Sequence, residues 1–216
     1  MRLLHLAKKI GLLDADIYGP SVPRMMGLTG KPDVQNDKII PLQAYGIACM
    51  SMGFLISEDS AIVWRGPQMS KALHQMLRGV QWGTSNSPLD TLIIDMPPGT
   101  GDIHLSLVQQ APVDGVLIVT TPQDVAVADA RKCMDMFRKV NVPLLGVIEN
   151  MSGFTDPVTG THHAIFGEGG GKRLAEATGA PFLGSIPIDI SLRIASDTGV
   201  QFADKTEIYK AIVKSL

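Results

Sequence analysis

Two acidic segments carry the residues whose types and spacing could do chemistry. They are Asp14-Ala15-Asp16-Ile17-Tyr18-Gly19-Pro20-Ser21 and Asp95-Met96-Pro97-Pro98-Gly99-Thr100-Gly101-Asp102. Each follows a short apolar run, Ile10 to Leu13 and Thr91 to Ile94, of the kind that forms a buried parallel strand. In open α/β sheets the carboxyl ends of the strands face the ligand crevice. Carboxylates delivered there can hold a hydrated Mg²⁺ and orient water beside a nucleotide phosphate, because Mg²⁺ keeps several waters and takes one or two hard oxygen donors. The competing reading is a pair of polar strand-to-loop turns, but an Asp followed by Pro-Pro-Gly-Thr-Gly-Asp is far more specific than a lone turn.

The order of elements that must position these acids predicts a doubly wound, mostly parallel α/β sheet. After the first acidic loop, a Gly/Pro-punctuated stretch runs to Pro41 and an apolar segment spans Ile47 to Phe54. Pro67 starts a helix on which Met69, Leu73, Met76 and Leu77 recur until Gly79. Strands are expected at Leu89 to Asp95, Gly115 to Thr121, Val142 to Glu149 and Phe182 to Ile186. Asp124 is expected to cap a helix with Val127, Met134 and Phe137 facing inward, and Gly167 to Thr178 to form the next helix. A final amphipathic helix is expected from Thr206 to Leu216. Strand alternating with helix at this pitch implies right-handed βαβ crossovers.

Composition narrows the class without naming it. The 216 residues suit one domain, 45% of them are hydrophobic, and a net charge of −2 argues against a nucleic-acid protein. No run approaches the ~20 apolar residues of a membrane span. Cys49 and Cys133 suggest neither a disulfide framework nor a metal site, and read as buried small apolar residues. Most of the eleven methionines, Met25, Met26, Met50 and Met52 among them, read as core fillers.

Five stretches in order along the chain resemble the Mrp/Nbp35 P-loop ATPases, a family of iron–sulfur cluster carriers. They are Gly11-Leu12-Leu13-Asp14-Ala15-Asp16-Ile17-Tyr18-Gly19-Pro20-Ser21, Asp95 to Asp102, Thr121-Pro122-Gln123-Asp124, Glu149-Asn150-Met151-Ser152 and Ile165 to Gly171. Tyr45 to Leu55 and Val63-Trp64-Arg65-Gly66 further resemble the mitochondrial branch that helps build respiratory complex I. The resemblance implies a sheet of the MinD/Mrp-like P-loop NTPase type. It implies ATP, Mg²⁺ and a 4Fe-4S cluster as cofactors, a homodimer, and apo iron–sulfur proteins such as complex I subunits as partners. The implied compartment is the mitochondrial matrix, with the cytoplasm as alternative. By the same resemblance Asp95 would sit in the outer shell of the magnesium, and Gly99 would bring backbone close to the γ-phosphate on a loop, Pro97 to Gly101, that moves with it. Asp16 would position the attacking water with Asp14 supporting it. Asn150 would read the adenine edge, and Pro187 with Asp189 would close the base pocket. Arg65 is a possible contact to a partner subunit.

Two parts of the family pattern are not found in this sequence. A P-loop needs a Gly-rich turn with the spacing G-x-x-x-x-G-K-S/T, whose amides cradle phosphate. The family places it, with its strand, upstream of Ile10, and Met1 to Lys9 read as the last turns of the helix that follows it. The expectation is therefore a truncated form lacking the first strand, with two sheet edges left unpartnered. Gly169-Gly170-Gly171-Lys172 precedes Arg173 rather than a hydroxyl and reads as a helix opening, a phosphate role being the alternative. Secondly, the Cys-x-x-Cys that follows Glu-Asn-Met-Ser in cluster-carrying members is replaced by Phe154 to His163. His162 and His163 are adjacent, point apart and read as polar loop residues, so no iron–sulfur ligands are identifiable.

Two functions from different classes follow. The first is an ATP-dependent iron–sulfur cluster carrier and assembly factor. The alternative is a nucleotide-free binding module of the same fold, acting through protein contacts. A MinD/ParA-like positioning ATPase would want a basic DNA face or a membrane-binding helix, and the stretch from Asp204 is a poor candidate for either.

Overall fold

The computed structural model describes residues 9–16, 19–55, 66–202, 209–210 and 213. They divide into two compact units, one within Met1–Ala111 and Ser191–Ala203, the other within Pro112–Ile190 and Asp204–Leu216. All but Lys9 of the expected helix at Met1 to Lys9, the Trp64-Arg65 pair and most of the expected C-terminal helix lie outside the described residues.

In the first unit, β1 (Ile10–Asp14) leads to the short helix α1 (Val22–Met25), then to β2 (Val34–Gln35), β3 (Lys38–Ile39), β4 (Leu42–Ala44) and β5 (Ile47–Ser51). A helix α2 (Gly66–His74), continued by a π-turn over Gln75–Gly79, precedes β6 (Thr91–Asp95) and α3 (Asp102–Gln110). The sheet order is β4-β5-β1-β6, with β1 parallel to both of its neighbours. Strand β5 is buried at all five positions, which is why its sequence is a continuous small-apolar run rather than an alternating one. Ile10, Ile47 and Cys49 form the core against Leu12, Met26 and Leu28. Strands β2–β3 and β4–β5 are hairpins whose two turn residues, Asn36-Asp37 and Tyr45-Gly46, all have positive φ, the turn type whose twist matches paired strands.

The second unit contains β7 (Val116–Thr120), α4 (Asp124–Lys139), β8 (Leu144–Asn150), β9 (Phe154–Thr155), β10 (His162–His163), α5 (Gly170–Thr178) and β11 (Phe182–Ile186). Its main sheet is β11-β8-β7, parallel throughout. Met134 of α4 and Leu174 and Ala175 of α5 pack with Ile118 and Val147 from the sheet. The last described helix, α6 (Ile190–Thr198), belongs to the first unit from Ser191 onward. No helix among the described residues is long and apolar enough to cross a membrane.

Among the described residues β6 is paired only with β1, and β7 only with β8. Ile93 on β6 is 42% exposed and Val119 on β7 is 59% exposed.

Some expectations need correction. Asp124 does not cap α4: Gln123 holds the cap position without a side-chain bond, and Asp124 is the first helical residue. Met25 is 47% exposed, whereas Met50 and Met52 are buried. Helices α3 and α6 were not expected. Ile103, Leu105 and Leu107 of α3, and Ile190, Leu192 and Ile194 of α6, alternate with polar residues as a strand would, and α3 has a glycine at its cap position with no side-chain bond to announce it.

Candidate functional site

The parallel register brings three polar residues into one row at the carboxyl end of the first sheet. Asp14 is opposite Ser51 on one side and Asp95 on the other. The backbone continues this pairing one step further, with Ala15 N donating to Asp95 O at 2.8 Å. The three parallel apolar runs thus stop together, and the acids leave the sheet at one edge.

Asp14 is fully buried and both its oxygens are engaged. Oδ1 accepts from Asp16 N at 3.2 Å, and Oδ2 accepts from Val22 N at 3.2 Å and Ser51 Oγ at 3.0 Å. It is a clamp that joins the start of the acidic loop to α1 and to β5. Asp16 is half-buried, and its Oδ1 accepts from Gly19 N at 3.1 Å, which closes the loop into a turn. Ser51, which the sequence reading passed over, ends an apolar run as Asp14 and Asp95 do, and that was the signal available.

A cavity of about 580 Å³ opens beside this row. Asp16, Gly19, Pro97, Pro98, Gly101 and Asp102 form its polar and backbone wall. Met69 on α2 and Ile103 on α3 form its apolar floor. Gly99 adopts φ +98°, where side chains are rarely tolerated, with open space where a Cβ would point. The Pro97 to Gly101 loop therefore presents bare backbone. Behind it His104, 2% exposed on α3, bonds to the backbone of Gly101 and Pro97. Burial pulls the imidazole pKa down, more than those backbone bonds raise it, so His104 holds the loop as a neutral ring.

Burial lifts the Asp14 carboxyl above the ordinary carboxylate range, against the lowering effect of its Ser51, Val22 and Asp16 hydrogen bonds. Asp95 is raised too, first by desolvation and then by the charges of Asp14 and Asp16. The Asp95 residue as a whole is exposed, so that desolvation is local to its carboxyl group. These acids repel one another, and a cation would relieve the repulsion. The donor set fits Mg²⁺: hard oxygens at Asp95 and Asp16, with Asp14 already committed to the chain, leave most of the ion's shell to water and phosphate. Among the described residues no group of three or more His, Cys, Asp or Glu side chains is placed to hold a metal ion by itself.

A stability consequence follows from these shifts. A carboxyl whose folded pKa is raised binds protons more readily folded than unfolded, so its ionisation costs stability above the folded pKa and costs nothing below the unfolded one. Asp95→Asn is therefore expected to raise the melting temperature at pH 7, and the gain should shrink as pH falls to about 4. Thermal melts across that range check it; a gain that persists at pH 4 would remove the electrostatic explanation.

The remaining sequence-expected residues lie in the second unit. Asn150 ends β8 opposite Ile186 of β11, so Pro187 and Asp189, both half-buried, follow at the same sheet end. Ser152 N donates to Ile186 O and Ile188 N to Gly153 O, which laces these two strand ends together. The Gly169–Gly171 turn is not a phosphate cradle: Gly169 N and Gly171 N both donate to the Glu149 carboxylate, at 3.1 and 2.7 Å. A carboxylate already sits where an anion would go.

The segment in place of the thiolate pair is a hairpin, β9 against β10. His162 and His163 are successive strand residues and so face opposite sides. His162 Nε2 meets Glu168 Oε1 at 2.8 Å, and Asp156 holds the turn through Val158 N and Thr159 N. Cys49 is buried and its thiol is pushed up to about 11, chiefly by burial; Cys133 is raised by burial as well. Neither offers a thiolate at neutral pH.

Comparison with known proteins agrees with the mostly parallel α/β sheet. A family model described as "ParA: NUBPL iron-transfer P-loop NTPase" matches residues 1–216. The chain is 51% identical to "Iron-sulfur protein required for NADH dehydrogenase, mitochondrial" of Arabidopsis thaliana and 50% identical to "Iron-sulfur cluster transfer protein NUBPL" of Mus musculus. Each match covers 89% of this chain and 60% of the relative, so the chain spans less than two thirds of their length. Among solved structures, a nucleotide-binding protein of Archaeoglobus fulgidus in complex with ADP superposes with a TM-score of 0.76 at 36% identity, over 90% of this chain and 75% of that one.

Proposed function

Because the chain belongs to the NUBPL iron-transfer branch of the ParA-type P-loop NTPases, we propose that it works as an adenine-nucleotide-gated assembly factor passing iron–sulfur clusters to apo proteins. The clients are subunits of respiratory complex I, the cluster is of the 4Fe-4S type, and the working form is a homodimer in the mitochondrial matrix. The observation that carries this reading is the pairing of Asp14 with Asp95 at the sheet end, next to a cavity lined by Asp16 and by a glycine-containing loop. A carrier timed by hydrolysis needs a loop that can follow the γ-phosphate.

Each residue has a part. Asp16 orients the attacking water, and Asp14 positions Asp16 by accepting its N–H while tying the loop to Ser51 and Val22. Asp95 would help to hold the hydrated magnesium. Bound there, Mg²⁺ would neutralise charge on the phosphate oxygens. Gly99 offers backbone to the γ-phosphate, and His104 keeps the loop that carries it folded against α3. Asn150, with Pro187 and Asp189, receives the adenine. Neither the G-x-x-x-x-G-K-S/T spacing of a phosphate-cradling loop nor a Cys-x-x-Cys pair to hold the cluster as cargo is found in residues 1–216, so no residue is assigned to either role.

The test is cluster transfer from the loaded full-length protein to an apo complex I subunit, with ATP compared against a non-hydrolysable analogue. Release that requires hydrolysis supports the carrier reading. Transfer at one rate with or without nucleotide would leave the binding-module alternative.

A further inference from the structure

Glu149 is a carboxylate with 1% exposure in the middle of the second unit, and nothing in the hydrolytic chemistry uses it. Its Oε1 accepts from Ser152 Oγ at 2.6 Å and Gly169 N at 3.1 Å, and its Oε2 accepts from Gly171 N at 2.7 Å. A buried charge held only by neutral donors is costly, and the rest of β8 shows that this strand takes apolar residues. Part of its role is to cap α5, whose cap position Gly169 is left-handed at φ +73° and carries no side chain to do so. What Glu149 does beyond capping is close a loop: its bond to Ser152 spans Asn150 and Met151.

Inside that loop Met151 has φ +56°, an unusual conformation for a residue with a side chain. This turn aims Met151 N at the Asn150 side chain, which it meets at 2.9 Å. A backbone N–H can only donate, so the atom it meets must be Oδ1, and the Asn150 amide cannot flip. The amide then presents a fixed order, an NH₂ donor beside an oxygen with one lone pair to spare. That order matches the N7 acceptor and N6 donor of adenine, and mismatches guanine, whose corresponding edge offers two acceptors.

We propose that Glu149, acting through Ser152, is a positioning residue that locks the Asn150 amide in the orientation that selects adenine over guanine. The inference rests on the reading of Asn150 as the base contact and adds to it the device that sets its specificity.

The experiment is calorimetric binding of Mg-ATP and Mg-GTP to the full-length protein and its variants. Asn150→Ala tests the underlying reading: loss of the ATP preference supports it, and an unchanged preference removes the base contact and this inference with it. Glu149→Gln and Ser152→Ala test the lock, and each should lower the ATP-to-GTP preference by about tenfold, the scale of one well-placed hydrogen bond. Ser152→Thr, which keeps the hydroxyl, should retain it. Should Glu149→Gln fold poorly, Ser152→Ala alone decides. A preference that Ser152→Ala leaves intact, in a protein where Asn150→Ala abolishes it, overturns the role of Glu149.

Discussion

Asp95→Ala is expected to abolish Mg-nucleotide binding by the full-length protein, lowering affinity for Mg-ATP about a hundredfold or more while nucleotide binding without Mg²⁺ changes little. The residue stands at the end of β6 opposite Asp14, and its carboxyl is raised by desolvation and by the Asp14 and Asp16 charges. That is the state of a group waiting for a cation. Asp14→Ala would also reduce binding, but by a different route. It would free Asp16 N, Val22 N and Ser51 Oγ from their common acceptor, so its loss should accompany a lower melting temperature. Asp95→Ala should bind poorly without that penalty. Equal Mg-ATP affinity in wild type and Asp95→Ala would remove Asp95 from the magnesium site.

The second large effect concerns the cargo. Residues 1–216 alone, reconstituted anaerobically with iron and sulfide and then desalted, are expected to retain essentially no cluster. The hairpin Phe154–Thr155 with His162–His163 occupies the place of the thiolate pair, its histidines face opposite sides, and His162 is engaged by Glu168. Cys49 is buried inside β5 with its thiol raised to about 11, and Cys133 lies half-buried against the core of the second unit. Iron–sulfur clusters require thiolate ligands in most settings. A visible absorbance band that survives desalting, and is lost in Cys49→Ser or Cys133→Ser, would show that these cysteines do ligate iron.

Much of the fold was legible because parallel strands buried on both faces leave continuous apolar runs. Ile10 to Leu13 is such a run; Thr91 to Ile94 and Phe182 to Ile186 are apolar enough to read the same way though only partly buried among the described residues, and each became a strand with nearly the expected ends. Position at the sheet's carboxyl edge was legible too, since Asp14, Asp95 and Asn150 each close one of these runs. Helices with weak burial were not: α6 has no buried residue, so no clear stripe marks it. The two-residue strands of the β9–β10 hairpin are too short to carry a period. Side-chain partners across long separations escaped for another reason. Ser51 is 37 positions from Asp14, and Gly171 is 22 from Glu149, and nothing local in either segment announces the partner. The glycine triplet shows the cost: its sequence suggested a helix opening or an anion cradle, and only the fold reveals the carboxylate that settles between them.

The most direct test of the account is a transfer assay with the full-length protein, loaded with cluster and mixed with an apo complex I subunit. Cluster arrival is followed with ATP, with a non-hydrolysable analogue and without nucleotide, in wild type and Asp95→Ala. Nucleotide gating through the acidic row predicts that hydrolysable ATP alone speeds transfer in wild type, and that Asp95→Ala transfers at the nucleotide-free rate throughout. Equal rates in all conditions for wild type, or ATP acceleration that survives Asp95→Ala, would contradict it.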